Sequence, residues 1–310
     1  MNIITLTLNP AFDIHCFVDD FKPFRENLAR VTSRDAGGKG VNISRALCSY
    51  GVESLALVTL GRENGTDFAR SLEASGVNFK AVTVEGRIRE NITVHTLGND
   101  ETRISFAGFN TDNSLICEYE KILDEMCMKN ATVTLTGSNP SGVSVDCVKA
   151  LLKKLKAKGA RIVIDSKSFS LDDMIEVAPF LIKPNEEEIS EYMKKPYENI
   201  NDALTFALDM RAKGVENVMV SLGAKGALLA AEDGVFLCTP PKINAISTIG
   251  AGDSTIAGFI SAAYITENGG ERLRRAVAFG SAACLTEGTL PPRKEDIENI
   301  LSTVKVEKIK

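Results

Sequence analysis

The sequence predicts an α/β fold in which helices cover both faces of a mostly parallel sheet. Three observations support this prediction. Several short runs, such as IITLTL, RIVID and VMVSL, consist almost entirely of apolar or β-branched residues, which is typical of strands buried on both faces. Segments of helical length separate these runs and give a βαβα order. Glycines follow four of these segments, at the positions where helices usually end.

The individual elements follow from these runs in chain order. Strands are predicted at residues 3–8, 54–60, 132–136, 161–165, 180–183 and 217–221. Helices are predicted at residues 39–50, 65–74, 113–127, 144–157 and 201–212. The glycines that end four of these helices are Gly51, Gly76, Gly159 and Gly214. Beyond Gly252 the chain is predicted to be mainly helical.

Two segments interrupt this alternation, at residues 13–35 and at about 86–108. Neither contains a convincing helix, and the second alternates β-forming residues around a turn signal at Gly98-Asn99-Asp100. We therefore expect a small second sheet that lies over one edge of the core as a lid. Because no linker and no internal repeat divides the chain, residues 1–310 are expected to form one domain carrying this lid.

Composition and charge exclude several classes of protein. The chain has 310 residues, of which 44% are hydrophobic and 25% charged, as in an ordinary globular protein. A formal net charge of −5 argues against a nucleic-acid partner, since phosphate binding needs a basic face. The longest apolar stretch, near residues 256–265, is too short to span a membrane. Seven scattered cysteines without a C-x-x-C pair suit a reducing compartment, so we expect a cytoplasmic protein.

The segment Gly250-Ala251-Gly252-Asp253-Ser254 follows a β-like run and opens an apolar helix. Small residues at such a junction let backbone N–H groups approach an anion, and the helix N-terminus adds a partial positive charge. The carboxylate of Asp253 then has two interpretations. It serves as a general base beside a bound phosphate, or it only caps the helix.

A glycine-rich segment, Gly37-Gly38-Lys39-Gly40-Val41-Asn42, opens the helix at residues 39–50. Its first two glycines permit close approach of a ligand, its lysine suits a phosphate, and its asparagine can bind sugar hydroxyls. The alternative is a flexible turn with a solvated lysine. The P-loop fingerprint G-x-x-x-x-G-K-[ST] and the dinucleotide fingerprint G-x-G-x-x-G after the first strand are both missing from the sequence.

Three more motifs follow predicted strands, at the sheet edge where α/β proteins bind their ligands. Asp13 in Asn9-Pro10-Ala11-Phe12-Asp13 can accept hydrogens from a polyol, or it is a turn residue. Asn185 and Glu188, spaced i, i+3, can orient water around Mg²⁺, or they begin an acidic helix. The segment Ser221-Leu222-Gly223-Ala224-Lys225-Gly226 can shape a nucleotide pocket or form a tight turn.

Taken in order, these motifs resemble those of the ribokinase-like (PfkB) family of carbohydrate kinases, from Thr7 to about residue 290. Three further matches resemble the hexose-phosphate kinase branch of that family. They are TLNPAFD at residues 7–13, Arg89-Glu90-Asn91 for T-R-x-N, and Gly137-Ser138-Asn139-Pro140 for G-S-x-P. Ile88 stands where the branch has threonine, and Asp165-Ser166-Lys167-Ser168 matches its D-[TS]-S-G segment only loosely.

The resemblance implies a three-layer α/β/α fold with a β-sheet lid, and phosphorylation of a sugar hydroxyl with ATP as co-substrate and Mg²⁺ as cofactor. It implies that Asp253 is the catalytic base and that Gly250, Ala251 and Gly252 form the anion hole. The residues implied to bind the sugar phosphate are Asp13, Gly37, Gly38, Lys39, Asn42, Arg89 and Ser138. Those implied on the nucleotide side are Lys183, Asn185, Ser221, Gly223 and Gly226, with Asn185 and Glu188 organising Mg²⁺ through water.

Within that set, Lys39, Arg89 and Ser138 are implied to hold the phosphate that the sugar already carries, since such a substrate needs cations in its site. Fructose 1-phosphate is the more usual substrate in this branch and is expected here, with tagatose 6-phosphate as the alternative. The resemblance also allows a homodimer through the lid. A sensor that binds sugar phosphate or nucleotide without catalysis is the alternative of another class, although such a protein needs no base at Asp253.

Overall fold

The computed structural model describes residues 3–98 and 101–310, and its central feature is a large twisted sheet. Seven neighbouring strands of this sheet are parallel, and three antiparallel strands extend it at one edge. In spatial order these ten strands of the described chain are β5 (Phe79–Val84), β4 (Leu55–Gly61), β1 (Ile3–Thr7), β8 (Thr132–Gly137), β9 (Arg161–Ser166), β10 (Leu181–Ile182), β11 (Asn217–Ser221), β12 (Ala227–Ala231), β13 (Gly234–Thr239) and β14 (Lys305–Lys308). The predicted mostly parallel sheet is confirmed.

Helices cover both faces of this sheet. The ten α-helices of the described residues are α1 (Lys39–Tyr50), α2 (Gly65–Ala74), α3 (Ser114–Met126), α4 (Val145–Ala157), α5 (Leu171–Val177), α6 (Glu186–Met193), α7 (Ile200–Ala212), α8 (Ala251–Ala262), α9 (Gly269–Ala283) and α10 (Lys294–Leu301). Successive residues of β1 pack against helices on opposite faces of the sheet. Ile3 packs with α1, α8 and α9, whereas Ile4 packs with α3 and α4. This arrangement is the predicted α/β/α layering.

The two segments that lack the βα alternation form a separate four-stranded sheet, as predicted. Its strands are β2 (Ala11–Phe17), β3 (Arg30–Gly37), β6 (Arg89–His95) and β7 (Glu101–Ile104). Their spatial order is β3-β2-β6-β7, with β2 and β6 parallel and the outer pairs antiparallel. A turn was also predicted at Gly98-Asn99-Asp100, and its last two residues, Asn99 and Asp100, lie outside the described residues. We call these four strands the small sheet.

The structure also contains elements that the sequence patterns did not predict. The helices α5 and α6 are short, and each begins with a capping box, in which the N-cap side chain and the third helical residue bond each other's backbone. The strand β5 is half exposed and β14 has three exposed residues among four, so neither shows the apolar run of a buried strand. Conversely, the strand predicted at 180–183 is reduced to Leu181–Ile182.

The parallel strands end along one edge of the large sheet, and helices α1 and α8 begin above that edge. α1 and α8 pack against each other and share the apolar cluster around Ile43, Ile256 and Phe259. Their N-termini therefore lie side by side at the carboxyl ends of the strands, where α/β proteins bind ligands. Across residues 3–98 and 101–310, no helix combines the length and the apolar character needed to cross a membrane.

Candidate active site

Asp253 lies in the first turn of α8 and is buried, with 7% of its surface exposed. Its Oδ2 accepts a hydrogen bond of 2.9 Å from Nδ2 of Asn42, which lies one turn into α1. Gly250, rather than Asp253, occupies the N-cap position of α8. The geometry thus favours the interpretation of Asp253 as a site residue over that of a simple helix cap.

The environment of Asp253 suits a proton acceptor. Burial raises the pKa of its carboxyl to about 6, while the charge of Lys39 and the hydrogen bond from Asn42 act in the opposite direction. A carboxylate whose pKa lies close to the working pH is ionised and still basic enough to take a proton from a hydroxyl group. Asp253 is therefore a candidate general base.

Three buried polar atoms, on α1 and at or just after the end of β1, lack hydrogen-bond partners among the described residues. Asn42 Oδ1, Thr7 Oγ1 and Asn9 Oδ1 are buried, and none has a hydrogen-bond partner within the described part of the chain. An unsatisfied buried polar group costs about 1–3 kcal/mol. A ligand rich in hydroxyl groups would satisfy such atoms, so this part of the site fits a sugar.

Asp13 is a buried residue of β2 and not a turn residue. Its Oδ1 accepts hydrogen bonds from Nδ2 of Asn91 at 3.1 Å and from Nη2 of Arg103 at 2.8 Å. Its Oδ2 faces Gly37, where a Cβ atom would lie only 2.3 Å from that oxygen. The first glycine of the glycine-rich segment is therefore required to leave room for this carboxylate.

Arg103 is a candidate binding residue that the sequence analysis missed. It lies on β7 and its side chain is 40% exposed beside the buried Asp13. Strand register is the signal that would have found it, because Thr93 on β6 pairs with both His15 on β2 and Arg103 on β7. Side chains alternate along a strand, so this register puts Arg103 on the same face of the small sheet as Asp13.

Arg89 joins the small sheet to the loop that follows β1. Its guanidinium donates to the backbone carbonyls of Pro10, Phe106 and Asn9 at 3.3, 3.0 and 3.2 Å. The side chain of Asn9 in turn donates to Oγ of Ser138 at 3.2 Å. The structure thus brings Arg89 and Ser138 to one loop, with the guanidinium of Arg89 bonded to backbone.

A buried carboxylate, Asp165, joins two of the predicted lysines. Asp165 is the next-to-last residue of the parallel strand β9 and is 6% exposed. Its Oδ2 accepts a hydrogen bond of 3.0 Å from Nζ of Lys39, and Nζ of Lys183 lies 3.7 Å from the same oxygen. The segment that begins at Asp165 matches the motif of the resembling kinases only loosely, so no role was predicted for this residue. Its position at the end of a predicted parallel strand was the available signal.

The predicted nucleotide-side residues lie at the ends of β10 and β11. Asn185 forms an isolated β-bridge with Ser221, whose Oγ donates to the carbonyl of Pro184 at 3.3 Å. Gly223 and Gly226 belong to the tight turn between the antiparallel strands β11 and β12. The turn interpretation of this motif therefore holds for its backbone, and the turn faces the same sheet edge as Asn185.

Asn185 and Glu188 form the capping box of α6, so the helix-start interpretation describes their present contacts. Asn185 Oδ1 accepts from the Glu188 amide at 2.8 Å, and Glu188 Oε2 accepts from the Asn185 amide at 3.0 Å. Nowhere in residues 3–98 and 101–310 do three or more His, Cys, Asp or Glu side chains form a metal cluster. Mg²⁺ usually binds through one or two carboxylates together with phosphates and water. Glu188 Oε1, which is outside the capping box, fits a metal that arrives with a nucleotide.

A cavity of about 740 Å³ opens beside this end of the site. Asp165, Lys183, Asn185 and Glu188 belong to its lining. Its volume lies in the range of about 300–1,000 Å³ that is usual for small-molecule pockets. Asp253 and Asp13 are not part of this lining, so the cavity adjoins the Asp165 and Asn185 end of the site and not the other two carboxylates.

Kinases of small hydroxyl compounds need a base for the hydroxyl and fixed positive dipoles for the phosphoryl group. The first turn of α8 offers both, since Asp253 lies just after the free backbone N–H groups of a helix N-terminus. The fold and the site therefore define a class, the ATP-dependent phosphotransferases that act on sugars.

Comparison with known proteins identifies the family. The model of the pfkB family carbohydrate kinases matches residues 7–296, and the chain belongs to this family. It is 30% identical to 1-phosphofructokinase of Bacillus subtilis (strain 168) over 311 residues, covering 99% of this chain and 100% of that protein. It is 29% identical to 1-phosphofructokinase of Escherichia coli (strain K12) over 284 residues, covering 91% of this chain and 90% of that protein.

Solved structures agree with this assignment. Phosphofructokinase-2 from Escherichia coli in complex with substrates and products superposes with a TM-score of 0.91 at 26% identity, covering 97% of this chain and 99% of that one. A putative phosphofructokinase from Staphylococcus aureus superposes with a TM-score of 0.83 at 28% identity, covering 99% of both chains. The chain is thus an ATP-dependent sugar kinase with the ribokinase-like fold.

Proposed function

We propose that this kinase converts fructose 1-phosphate and ATP to fructose 1,6-bisphosphate and ADP. The observation that carries the proposal is the buried carboxylate of Asp253 at the N-terminus of α8, held by Asn42. The relatives that are 29–30% identical over most of the chain, named 1-phosphofructokinase, support this substrate.

In the proposed reaction, Asp253 takes the proton of the attacking sugar hydroxyl as that oxygen bonds the γ-phosphorus. The bond from the γ-phosphorus to the bridging oxygen breaks, and ADP leaves. Asn42 orients the carboxylate through Nδ2 and offers its free Oδ1 to a sugar hydroxyl. The backbone N–H group of Gly252, in the first turn of α8, is free to meet the charge on the transferring group.

The phosphate already on the sugar needs cations, and the small sheet supplies the best-placed one. Arg103 contacts Asp13, which we propose binds the sugar hydroxyls, so Arg103 stands next to the proposed sugar position. Ser138 can contribute its hydroxyl. Arg89 is bonded to three backbone carbonyls, and for it to reach the phosphate these contacts must open.

ATP is proposed to lie along the ends of β10 and β11, against Lys183, Asn185, Ser221, Gly223 and Gly226. Mg²⁺, bound with the nucleotide, would be held through water by Asn185 and Glu188 and would neutralise phosphate charge. Since ATP and sugar phosphates are solutes of the cytoplasm, we propose that location for the enzyme.

A substrate panel tests the proposed function. ATP consumption should be measured with fructose 1-phosphate, tagatose 6-phosphate, fructose 6-phosphate and the free sugars. The expected result is the highest kcat/KM with fructose 1-phosphate. A preference for tagatose 6-phosphate, the alternative substrate, would contradict the substrate assignment. Binding without turnover of any sugar phosphate would contradict catalysis and favour a sensor.

We further propose that the small sheet is a lid that closes over the sugar and pairs with the lid of a second copy. Closure would exclude water, which otherwise competes with the sugar for the γ-phosphate. Apolar side chains are exposed around the small sheet, among them Phe24, Leu28, Val31, Ile104 and Phe106. A relative of similar structure, phosphofructokinase-2 from Escherichia coli, has a tetrameric inhibited form, which supports self-association.

A further inference from the structure

Two lysines from different parts of the chain meet at the same oxygen of Asp165. Lys39 begins α1, and its Nζ lies 3.0 Å from Oδ2 of Asp165 at the end of β9. Lys183 follows β10, and its Nζ lies 3.7 Å from that oxygen. Asp165 and Lys183 are buried, with 6% and 9% of their surfaces exposed. One carboxylate therefore fixes two ammonium groups at the carboxyl edge of the sheet.

The fixed ammonium groups lie near the first turn of α8, which carries Asp253. A Cβ atom placed on Gly252 would lie 3.3 Å from Nζ of Lys183, so this ammonium rests against the first turn of α8. Lys39 is close enough to Asp253 for its charge to lower the pKa of that carboxyl. The two cations thus flank the proposed base and the free N–H groups of the helix.

Asp165 is charged in this arrangement. Burial alone would raise the pKa of its carboxyl, but the nearby charges of Lys183 and Lys39 outweigh burial and hold the pKa below its usual value. An ionised carboxylate makes stronger hydrogen bonds to ammonium groups than a neutral side chain does. Removal of this charge would release both lysines from their common anchor.

We propose that Asp165 is a positioning residue that holds Lys39 and Lys183 beside the phosphoryl group in transfer, so that Lys39 serves the γ-phosphate and not the phosphate already on the sugar. This inference rests on the proposed kinase function and changes the role that the motif implied for Lys39. In phosphoryl transfer, catalysis comes mostly from positioning and charge stabilisation, so fixed cations act on the transition state.

The substitution Lys39→Met distinguishes a role at the γ-phosphate from a role in binding the sugar's own phosphate. Because the side chain of Lys39 is partly exposed, we expect this variant to fold. If Lys39 serves the transferring group, kcat falls by about 10- to 100-fold while KM for fructose 1-phosphate changes less than threefold. If Lys39 binds the sugar's own phosphate, KM rises by about that factor and kcat is retained. The second result would overturn the inference.

The substitution Asp165→Asn tests the anchor itself. The expected result is a fall in kcat that a higher Mg²⁺ concentration does not reverse, together with a shift of the acid limb of the kcat profile to higher pH. The shift is expected because the released lysines no longer lower the pKa of Asp253, and the effect of Lys39 on that pKa is larger than that of Asp165. Recovery of kcat by added Mg²⁺ would instead identify Asp165 as a metal ligand and overturn the positioning role.

Asp202→Asn is the matched control. Asp202 is also a buried carboxylate, 9% exposed and paired with a lysine, Lys195 at 2.6 Å, but it lies at the start of α7. This control is expected to lower thermal stability without a change in kcat or in its pH profile. A pH profile displaced equally in both variants would mean that Asp165 acts only on stability, which would also overturn the inference.

A measurement without turnover distinguishes failure of this inference from failure of the proposed function. The full-length protein is labelled on its lysines by reductive ¹³C-methylation, and Lys39→Arg identifies the signal of Lys39. Asp165 helps to raise the pKa of Lys39, so Asp165→Asn should lower it. An unchanged Lys39 titration in an active enzyme overturns the positioning role alone. If Asp165→Asn lowers the pKa of Lys39 but the wild-type protein has no kinase activity, the proposed function is overturned, and the phosphoryl role of Lys39 with it.

Discussion

At the scale of single residues, Asp253 combines burial with one directed hydrogen bond. Its carboxylate is 7% exposed, and Nδ2 of Asn42 at 2.9 Å fixes one of its oxygens. Burial makes the group more basic, and the hydrogen bond orients it. A general base needs both properties, since proton transfer requires a suitable pKa and contact with the hydroxyl.

The substitution Asp253→Asn keeps the shape of this side chain and removes its basicity. General-base catalysis contributes about 10²- to 10⁴-fold, so kcat should fall by that factor while binding of fructose 1-phosphate survives. Steady-state kinetics and calorimetric titration measure the two effects. A variant that retains nearly all of the wild-type kcat would contradict the assignment of Asp253 as the base.

The pKa of Asp253 also predicts an effect of this substitution on stability. Burial raises this pKa from 3.8 in the unfolded chain to about 6. The folded state therefore holds the proton more tightly, and its stabilising contribution is lost as the pH rises through about 6. At pH 8 the wild type carries a buried charge that the asparagine variant lacks, so the variant should have the higher Tm.

A pH dependence of turnover follows from the same group. The base must be ionised to accept a proton, so kcat at saturating substrates should decline as the pH falls through about 6. The profile should be measured between pH 5 and pH 8 in buffers of constant ionic strength. A kcat that stays flat over this interval would show that Asp253 does not titrate there in the bound enzyme.

The substitution Arg103→Ala tests the contribution of this arginine to binding of the sugar phosphate. A charge-assisted hydrogen bond contributes about 1.5–3 kcal/mol, so Arg103→Ala should raise KM for fructose 1-phosphate by about 10- to 100-fold. KM for ATP should change much less. Arg62→Ala is the control, because Arg62 is exposed and pairs with Glu85 on the surface. Equal losses for both substrates would assign Arg103 a structural role.

At the scale of elements, the small sheet brings residues from two distant segments to one face. Asp13 on β2 lies opposite Asn91 on β6 and Asp35 on β3. Arg89 at the start of β6 is tied by its guanidinium to the loop after β1. Because the strands share hydrogen bonds, we expect the four strands to move as one unit.

Hydrogen exchange tests that expectation. Amides in Ala11–Phe17, Arg30–Gly37, Arg89–His95 and Glu101–Ile104 should gain protection together when fructose 1-phosphate and a non-hydrolysable ATP analogue are added. The reason is that closure over the sugar would reduce opening of the whole small sheet. Protection limited to the starts of α1 and α8 would show that the small sheet is no substrate lid.

Strands and helices were predictable from sequence where burial is strong. β1, β9 and β11 are apolar runs because helices cover both of their faces, and α1 and α2 lie at their predicted bounds. The edge strand β14 is largely exposed and offers no such pattern. The short α6 begins at a motif with two interpretations, since the same oxygens can cap a helix or hold water around a metal.

The site was predictable only where a motif lies in one stretch of chain. Asp253 and Asn42 each belong to a glycine-containing motif at a helix start, although their mutual hydrogen bond needs the packing of α1 on α8. Arg103 and Asp165 belong to no clear motif. Their positions depend on strand register in the small sheet and on three elements meeting at one oxygen.

At the scale of the whole molecule, the exposed apolar residues in the loop between β2 and β3 of the small sheet predict self-association. Phe24 and Leu28 are almost fully exposed, and Phe24 has a positive φ of 64° in the loop between β2 and β3. Burial against a second copy would remove this apolar surface from water. The wild-type chain should therefore sediment as a dimer or larger assembly.

The double substitution Phe24→Ser and Leu28→Ser should shift that equilibrium to the monomer in analytical ultracentrifugation. Ile265→Ser is the control, since Ile265 is also exposed but lies after α8, outside the small sheet and its loops. A wild-type chain that remains monomeric at high micromolar concentration would contradict the proposed pairing of lids.

The strand β14 has a consequence for how copies of the chain behave in concentrated solution. It covers the outer edge of β13, whose buried residues include Val235, Phe236 and Cys238. Three of its four side chains are exposed and charged: Lys305, Glu307 and Lys308. Charges on an edge strand discourage pairing with the strands of another molecule, which is the first step of aggregation. The charged edge strand β14 thus opposes the addition of strands from other molecules to the large sheet. Neutral replacements of these three charged residues should lower the solubility of the protein without changing its kcat.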